Sequence, residues 1–178
     1  MFEQNPKVRS AAEIAVEFRT AVPDERFRSY LKANHGIVDI AGMIAFSGSF
    51  SLPSASIENF TGIEYAVNAT GIFAYSNPFT LMPIASMVNA SSVIIYATNI
   101  TKFNAAHLAS LTNLNLASGN MAQADVEQTI EDLWVNRAAL GALSCSITFA
   151  GNPGSAGAAA SKASEISDLI AAGCSVSM

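Results

Sequence analysis

Charge is scarce in this sequence. Lys, Arg, Asp and Glu make up 13% of its 178 residues, about half of what a soluble globular domain carries. Between Lys32 and Lys102 there is no basic residue, and the acids there are Asp39, Glu58 and Glu64. A net charge of −5 without any basic cluster excludes nucleic acid as a partner, because that binding rests on neutralising phosphates. Long apolar runs are also missing, so no membrane span is expected. The opening MFEQNPKVRSAAEIAVEF holds Glu3, Glu13 and Glu17 and has no apolar h-region, so it does not read as a signal peptide. Without a secretory signal the four Asn-x-Ser/Thr sequons at Asn59, Asn68, Asn89 and Asn99 are expected to be a by-product of Asn/Thr-rich repeat turns. The two cysteines, Cys145 and Cys174, are then expected as free thiols.

Catalytic patterns are missing as well. There is no G-x-S-x-G, no H-E-x-x-H and no paired C-x-x-C. His35 and His107 stand alone, with no Cys or acid at ligand spacing. The run GNPGSAGAAASK resembles a phosphate loop only in composition, since it lacks Gly-Lys-Ser/Thr. The acids Asp125, Glu127, Glu131 and Asp132 read as the solvated face of a helix. No catalytic residue, no metal ligand and no cofactor is assigned, and the chain is not expected to be an enzyme.

What is present is apolar residues in register. The apolar share is 51% with a mean hydropathy of +0.33, which excludes disorder. Ala69, Ile72, Ala74, Phe79 and Met82 return as Ala90, Val93, Ile95, Ile100 and Phe103, and again as Leu111, Leu114, Leu116, Met121 and Ala124. The spacing LxxLxLxxNxL, repeated within a period of about 20–29 residues, is the leucine-rich-repeat signature. Each turn carries one short strand and cannot bury its apolar side alone, so turns stack into a solenoid. The Asn of that pattern is Asn77, becomes Thr98 and then Gly119, and Asn120 follows one place late.

The expected fold class is α/β: a short solenoid of parallel strands, with an N-terminal helical cap and C-terminal strand-helix-strand repeats. Residues 1–36 read as an N-terminal arm and cap. Residues 37–178 read as the solenoid, regular over 37–121 and atypical over 122–178, within one domain overall. Helical spacing runs over 8–34, where Ile14/Phe18 and Phe27/Leu31 each share a face. Pro23 divides that stretch, Pro23-Asp24-Glu25 opens the second helix and Gly36 ends it. An irregular first turn holds Phe50, Leu52, Ile57, Phe60 and Ile63, and strands follow near 71–75, 92–96 and 113–117. Residues 122–141 predict one helix and 144–149 a strand. An Ala/Gly/Ser run over 151–163 leads to a last helix over 162–172, and a strand follows over 174–176. Period-2 alternation turns Cys145 and Cys174 inward as small hydrophobes.

The segments VPDERFRSYLKAN and IENFTGIEYAVNATGI resemble bacterial leucine-rich-repeat proteins through Pro23, Asp24, Phe27, Tyr30 and Leu31, then Ile57, Phe60, Gly62, Ile63, Glu64, Tyr65 and Asn68. The stretch from LTNLNLASGNMAQADVEQTIEDLW to CSITFAGNPGSA is similar to repeat-like ends of bacteriophage structural and tail proteins, which share the Gly151-Asn152-Pro153 turn. That resemblance implies a virion component, capsid-associated or tail. With no signal peptide, the expected location is the virion or the cytoplasm.

A binding face follows from the register. Outward residues flank the inward ones, so Phe73 pairs with Ile94 and Tyr75 with Tyr96 as an exposed apolar strip, with Asn113 and Asn115 below them. These six are the candidate concave-face contacts. The expected partners are proteins, by self-association or with virion proteins. The alternative is a soluble recognition module holding a protein or glycan on the same face.

Overall fold

Ile72, Val93, Leu114 and Ile147 lie side by side on neighbouring strands, each fully or almost fully buried. In this computed structural model, which describes residues 10–178, six strands of three residues form one parallel sheet. They are β1 (Ser49–Ser51), β2 (Gly71–Phe73), β3 (Ser92–Ile94), β4 (Asn113–Asn115), β5 (Ser146–Thr148) and β6 (Ser175–Ser177), in chain order across the sheet. The register from β2 to β4 is the repeat of the sequence: Gly71, Ser92 and Asn113 are paired partners. The strands β2 to β4 are shorter than the five residues expected, because the backbone turns just beyond each. Ser54, Ser76, Ala97 and Ser118 all take φ between 51° and 57°, and Gly151 continues the column at 79°. None of these residues is β-branched, so none adds the further crowding that a branched side chain meets in the left-handed conformation.

The inward residues of the repeat are buried, from Ala69 through Met121. Ala124 is the exception and lies exposed, because the period stops where α4 (Gln123–Val135) begins. The first turn contributes Phe50, Leu52, Ile57, Phe60 and Ile63, all fully buried, and it also contains β1.

At the N-terminal end stand α1 (Ala11–Ala21), α2 (Glu25–His35) and a short α3 (Ile40–Ala45) that the sequence pattern does not announce. Of the helical stretch expected over 8–34, residues 8 and 9 lie outside the described residues. Ser10 and Glu13 form a capping box on α1. Asp24 is the cap of α2 rather than part of its first turn: Oδ1 accepts from Phe27 N at 2.9 Å. Its other oxygen accepts from Glu58 N and Asn59 N at 3.0 and 3.1 Å, which joins α2 to the first coil turn. Gly36 closes α2 in the left-handed conformation. Phe27, Phe60 and Phe79 then pack ring on ring, with centroids 5.0 and 4.8 Å apart.

Past β4 the return arms are helical. The single helix expected over 122–141 is two, α4 and α5 (Arg137–Ala142), separated at Asn136. Asn136 Nδ2 donates to Ala106 O at 2.9 Å, so the break is held by the preceding turn. The Ala/Gly/Ser run is itself helical: α6 (Ser155–Ser161) precedes α7 (Ala163–Ala172). Its small residues let α6 approach α4, where β-carbons on Gly154 and Gly157 would collide with Gln123. The acids of α4 are not a freely solvated face. Glu127 accepts from Ser161, Glu131 pairs with Lys162, and Asp132 Oδ2 accepts from Ala105 N at 3.1 Å.

Candidate functional site

The outward face of the sheet has three rows of side chains, and none of the outward positions on its six strands is charged. The middle row runs Ser51, Phe73, Ile94, Asn115, Thr148, Ser177 in paired register. The outer row passes through Tyr75, Tyr96, Ala117 and Ala150. Its order follows from Ser76 N donating to Tyr96 O, Ala97 N to Ala117 O and Ser118 N to Ala150 O, at 2.8 to 3.1 Å.

The rings of Tyr75 and Tyr96 stack with centroids 4.8 Å apart and planes within 5° of parallel. That separation is the strand spacing itself, so the sheet imposes the stack. Phe73 and Ile94 adjoin it one row in. The structure brings these four together as the sequence register implies, but half-buried rather than exposed, because each side chain covers the next. Asn115 lies level with Phe73 and Ile94, and its Oδ1 accepts from Ala117 N at 3.0 Å. Asn113 lies in the innermost row beside Ser92.

Two features were missed from sequence. The first is the drop in the outer row from two tyrosines to Ala117 and Ala150, which makes a ridge over β2 and β3 and a trough over β4 and β5. Ala117 is legible in the repeat, one period after Tyr96; Ala150 is not, because the period has lengthened. The second is the ladder asparagine after Thr98. Asn77 donates to Leu52 O and Ala74 O and accepts from Ile57 N. Asn152 makes the same set with Leu116 O, Phe149 O and Met121 N. Asn120 is exposed and is not the ladder residue.

The remaining singled-out residues lie elsewhere. His35 packs edge-on against Phe46 and Phe50, at 5.0 and 5.3 Å, and burial lowers its pKa. Burial also lowers the pKa of His107, opposed by a hydrogen bond with the Ile84 backbone and by the charge of Asp132. Cys145 and Cys174 are free and buried one residue before the paired Ser146 and Ser175. Burial, then the neighbouring Cys174, pushes the Cys145 thiol up to about 12. An open recess of about 840 Å³ beside Pro53 and Ser54, containing the Arg26–Glu58 ion pair, adjoins the tyrosine end of the face. Among the described residues, no helix is long and apolar enough to cross a membrane.

No protein-family model matches the sequence, and no curated protein is similar to it. Solved structures are similar in fold. An internalin, InlF, from Listeria monocytogenes superposes with a TM-score of 0.60 at 16% identity, over 82% of this chain and 41% of that one. The functional domain of InlJ from Listeria monocytogenes, which includes a cysteine ladder, superposes with a TM-score of 0.56 at 23% identity, over 63% of this chain and 26% of that one. The chain thus spans less than half the length of either. Internalins are leucine-rich-repeat proteins, and the likeness establishes that fold here.

Proposed function

We propose that this chain is a non-catalytic protein-interaction module that holds its partner on the outward sheet face, through Phe73, Tyr75, Ile94 and Tyr96 with Asn113 and Asn115 at the margin. The observation that carries this reading is the stacked tyrosine pair on a face without charge. Half-buried aromatics in a neutral setting are the residue type that concentrates binding energy at protein interfaces. A glycan is the weaker ligand, because a sugar stacks on ring faces and Tyr75 and Tyr96 cover one face of each other. Where the partner is a larger particle, such as a bacteriophage virion, the same face is the attachment surface. The lack of basic residues between Lys32 and Lys102 suits a permanently covered position.

The test is selection of a displayed peptide library on the immobilised chain. Enriched peptides should lose binding to the Tyr75→Ala/Tyr96→Ala double variant, with circular dichroism unchanged. Enrichment that survives this change would place the contact elsewhere.

A further inference from the structure

The ridge and the trough share one face, occupy the same rows and have the same width of two strands. Tyr75 and Tyr96 stand on β2 and β3, while Ala117 and Ala150 continue their row on β4 and β5. At ~4.8 Å per strand, ridge and trough are each about 10 Å across. Resting on the reading of this face as a contact surface, we propose that it binds the same face of a second copy. The two-fold axis would run parallel to the strands between β3 and β4, so that each ridge fills the other's trough.

That axis keeps the rows in register and reverses the strand order. Tyr96 of one copy then lies over the partner's Ala117, and Tyr75 over the partner's Ala150. In the middle row, Ile94 meets the partner's Asn115 and Phe73 the partner's Thr148. Sheets pack face to face about 10 Å apart, which requires large side chains on one to meet small ones on the other. Here both halves of that match are on one chain, the self-complementarity that a two-fold contact demands. A self-contact also brings side chains near their own copies across the axis, and the uncharged face meets no like-charge repulsion in doing so. The three rows, from the strands out through Tyr75, Tyr96, Ala117 and Ala150, span about five residues along the chain and six strands across, a face of roughly 500 Å² per copy. The pair would bury about 1,000 Å² in all, the lower limit for a specific interface, so the dimer forms reversibly with concentration.

The experiment is light scattering on the full chain from micromolar to millimolar concentration, beside Ala117→Trp and, as a second filling of the trough, Ala150→Trp. Both alanines are half-exposed, so the folded chain has room for the larger ring. The wild type should rise from 18.6 kDa toward twice that mass, while both variants associate at least about tenfold more weakly. A short bismaleimide should link Ser49→Cys chains to Ser175→Cys chains when the two are mixed and neither kind to itself, since β1 faces the partner's β6. Dimerisation unaffected by both tryptophans, self-linking of Ser49→Cys, or masses growing past two copies would overturn the arrangement. A wild type monomeric at millimolar concentration also overturns it. If peptide selection still depends on Tyr75 and Tyr96, the contact-surface reading survives that failure; if selection fails as well, both fall.

Discussion

Asn152 Oδ1 lies 2.7 Å from where a β-carbon on Gly119 would stand, so the side chain missing from one turn makes room for the ladder residue of the next. Ile100 closes the other side, its Cγ2 2.9 Å from the same point. The asparagine column of this coil is therefore Asn77, Thr98 and Asn152. Thr98 sustains the middle turn by donating to Ile95 O and accepting from Ile100 N.

Asn152→Ala strands Leu116 O and Met121 N in the core and takes one donor from Phe149 O, which keeps the backbone N–H of residue 152. Although Ser155 Oγ still donates to Phe149 O, the change should cost on the order of 3 kcal/mol. Asn120→Ala, at the exposed position that simple counting along the repeat would choose, should cost less than about 0.5 kcal/mol. Urea denaturation of the two variants checks both. Equal effects would mean that the ladder does not pass through Asn152.

Leu114 is fully buried in β4 between Val93 and Ile147. Leu114→Ala should cost about 2–5 kcal/mol by opening a cavity in the stack. Its neighbour Asn115 points outward, and Asn115→Ala should leave stability within roughly 1 kcal/mol. Thermal or urea unfolding separates them, and a reversal of the two values would mean a register shifted by one residue.

The stacked strands were legible because a fixed period puts the same residue type at the same place in each turn, and Ile72, Val93 and Leu114 obey it. Legibility ended where helices lengthened the turns. After Met121 the spacing no longer carries position, so Asn152 could not be matched to Asn77, nor Ala150 to Tyr96. The α6 helix was hidden for a different reason. Its alanines and glycines carry no apolar periodicity, and only the closeness of α4 explains them. The face itself was half legible: alternation orients Phe73 and Tyr75, but the depth of their burial depends on neighbours that one strand does not reveal.

His35 links stability to pH. Burial against Phe46 and Phe50 lowers its folded pKa below the 6.5 of an exposed imidazole, so folding favours the neutral ring. The contribution is fully present above about pH 6.5 and is lost as pH falls through the folded value. The wild type should therefore lose urea stability relative to His35→Phe between about pH 7 and pH 5. Comparing the two chains at each pH removes the contribution of the carboxylates, which both retain. Parallel curves would show that His35 does not titrate with unfolding.

Gly154 and Gly157 both face Gln123, yet they should respond differently to a methyl group. A β-carbon on Gly154 would meet the Gln123 backbone N and Cα and the Ala122 carbonyl carbon, atoms fixed by the start of α4. On Gly157 it would meet the end of the Gln123 side chain, which can swing away after giving up its hydrogen bond to Glu127. Gly154→Ala should thus push α6 off α4 and cost at least about 2 kcal/mol. Gly157→Ala gains helix propensity of roughly 1 kcal/mol inside α6 against that small rearrangement, and should be neutral or stabilising. Thermal unfolding midpoints decide the matter: a large loss at Gly157 would mean that Gln123 is held as firmly as the backbone, and no loss at Gly154 would mean that the two helices pack less closely than their glycines allow.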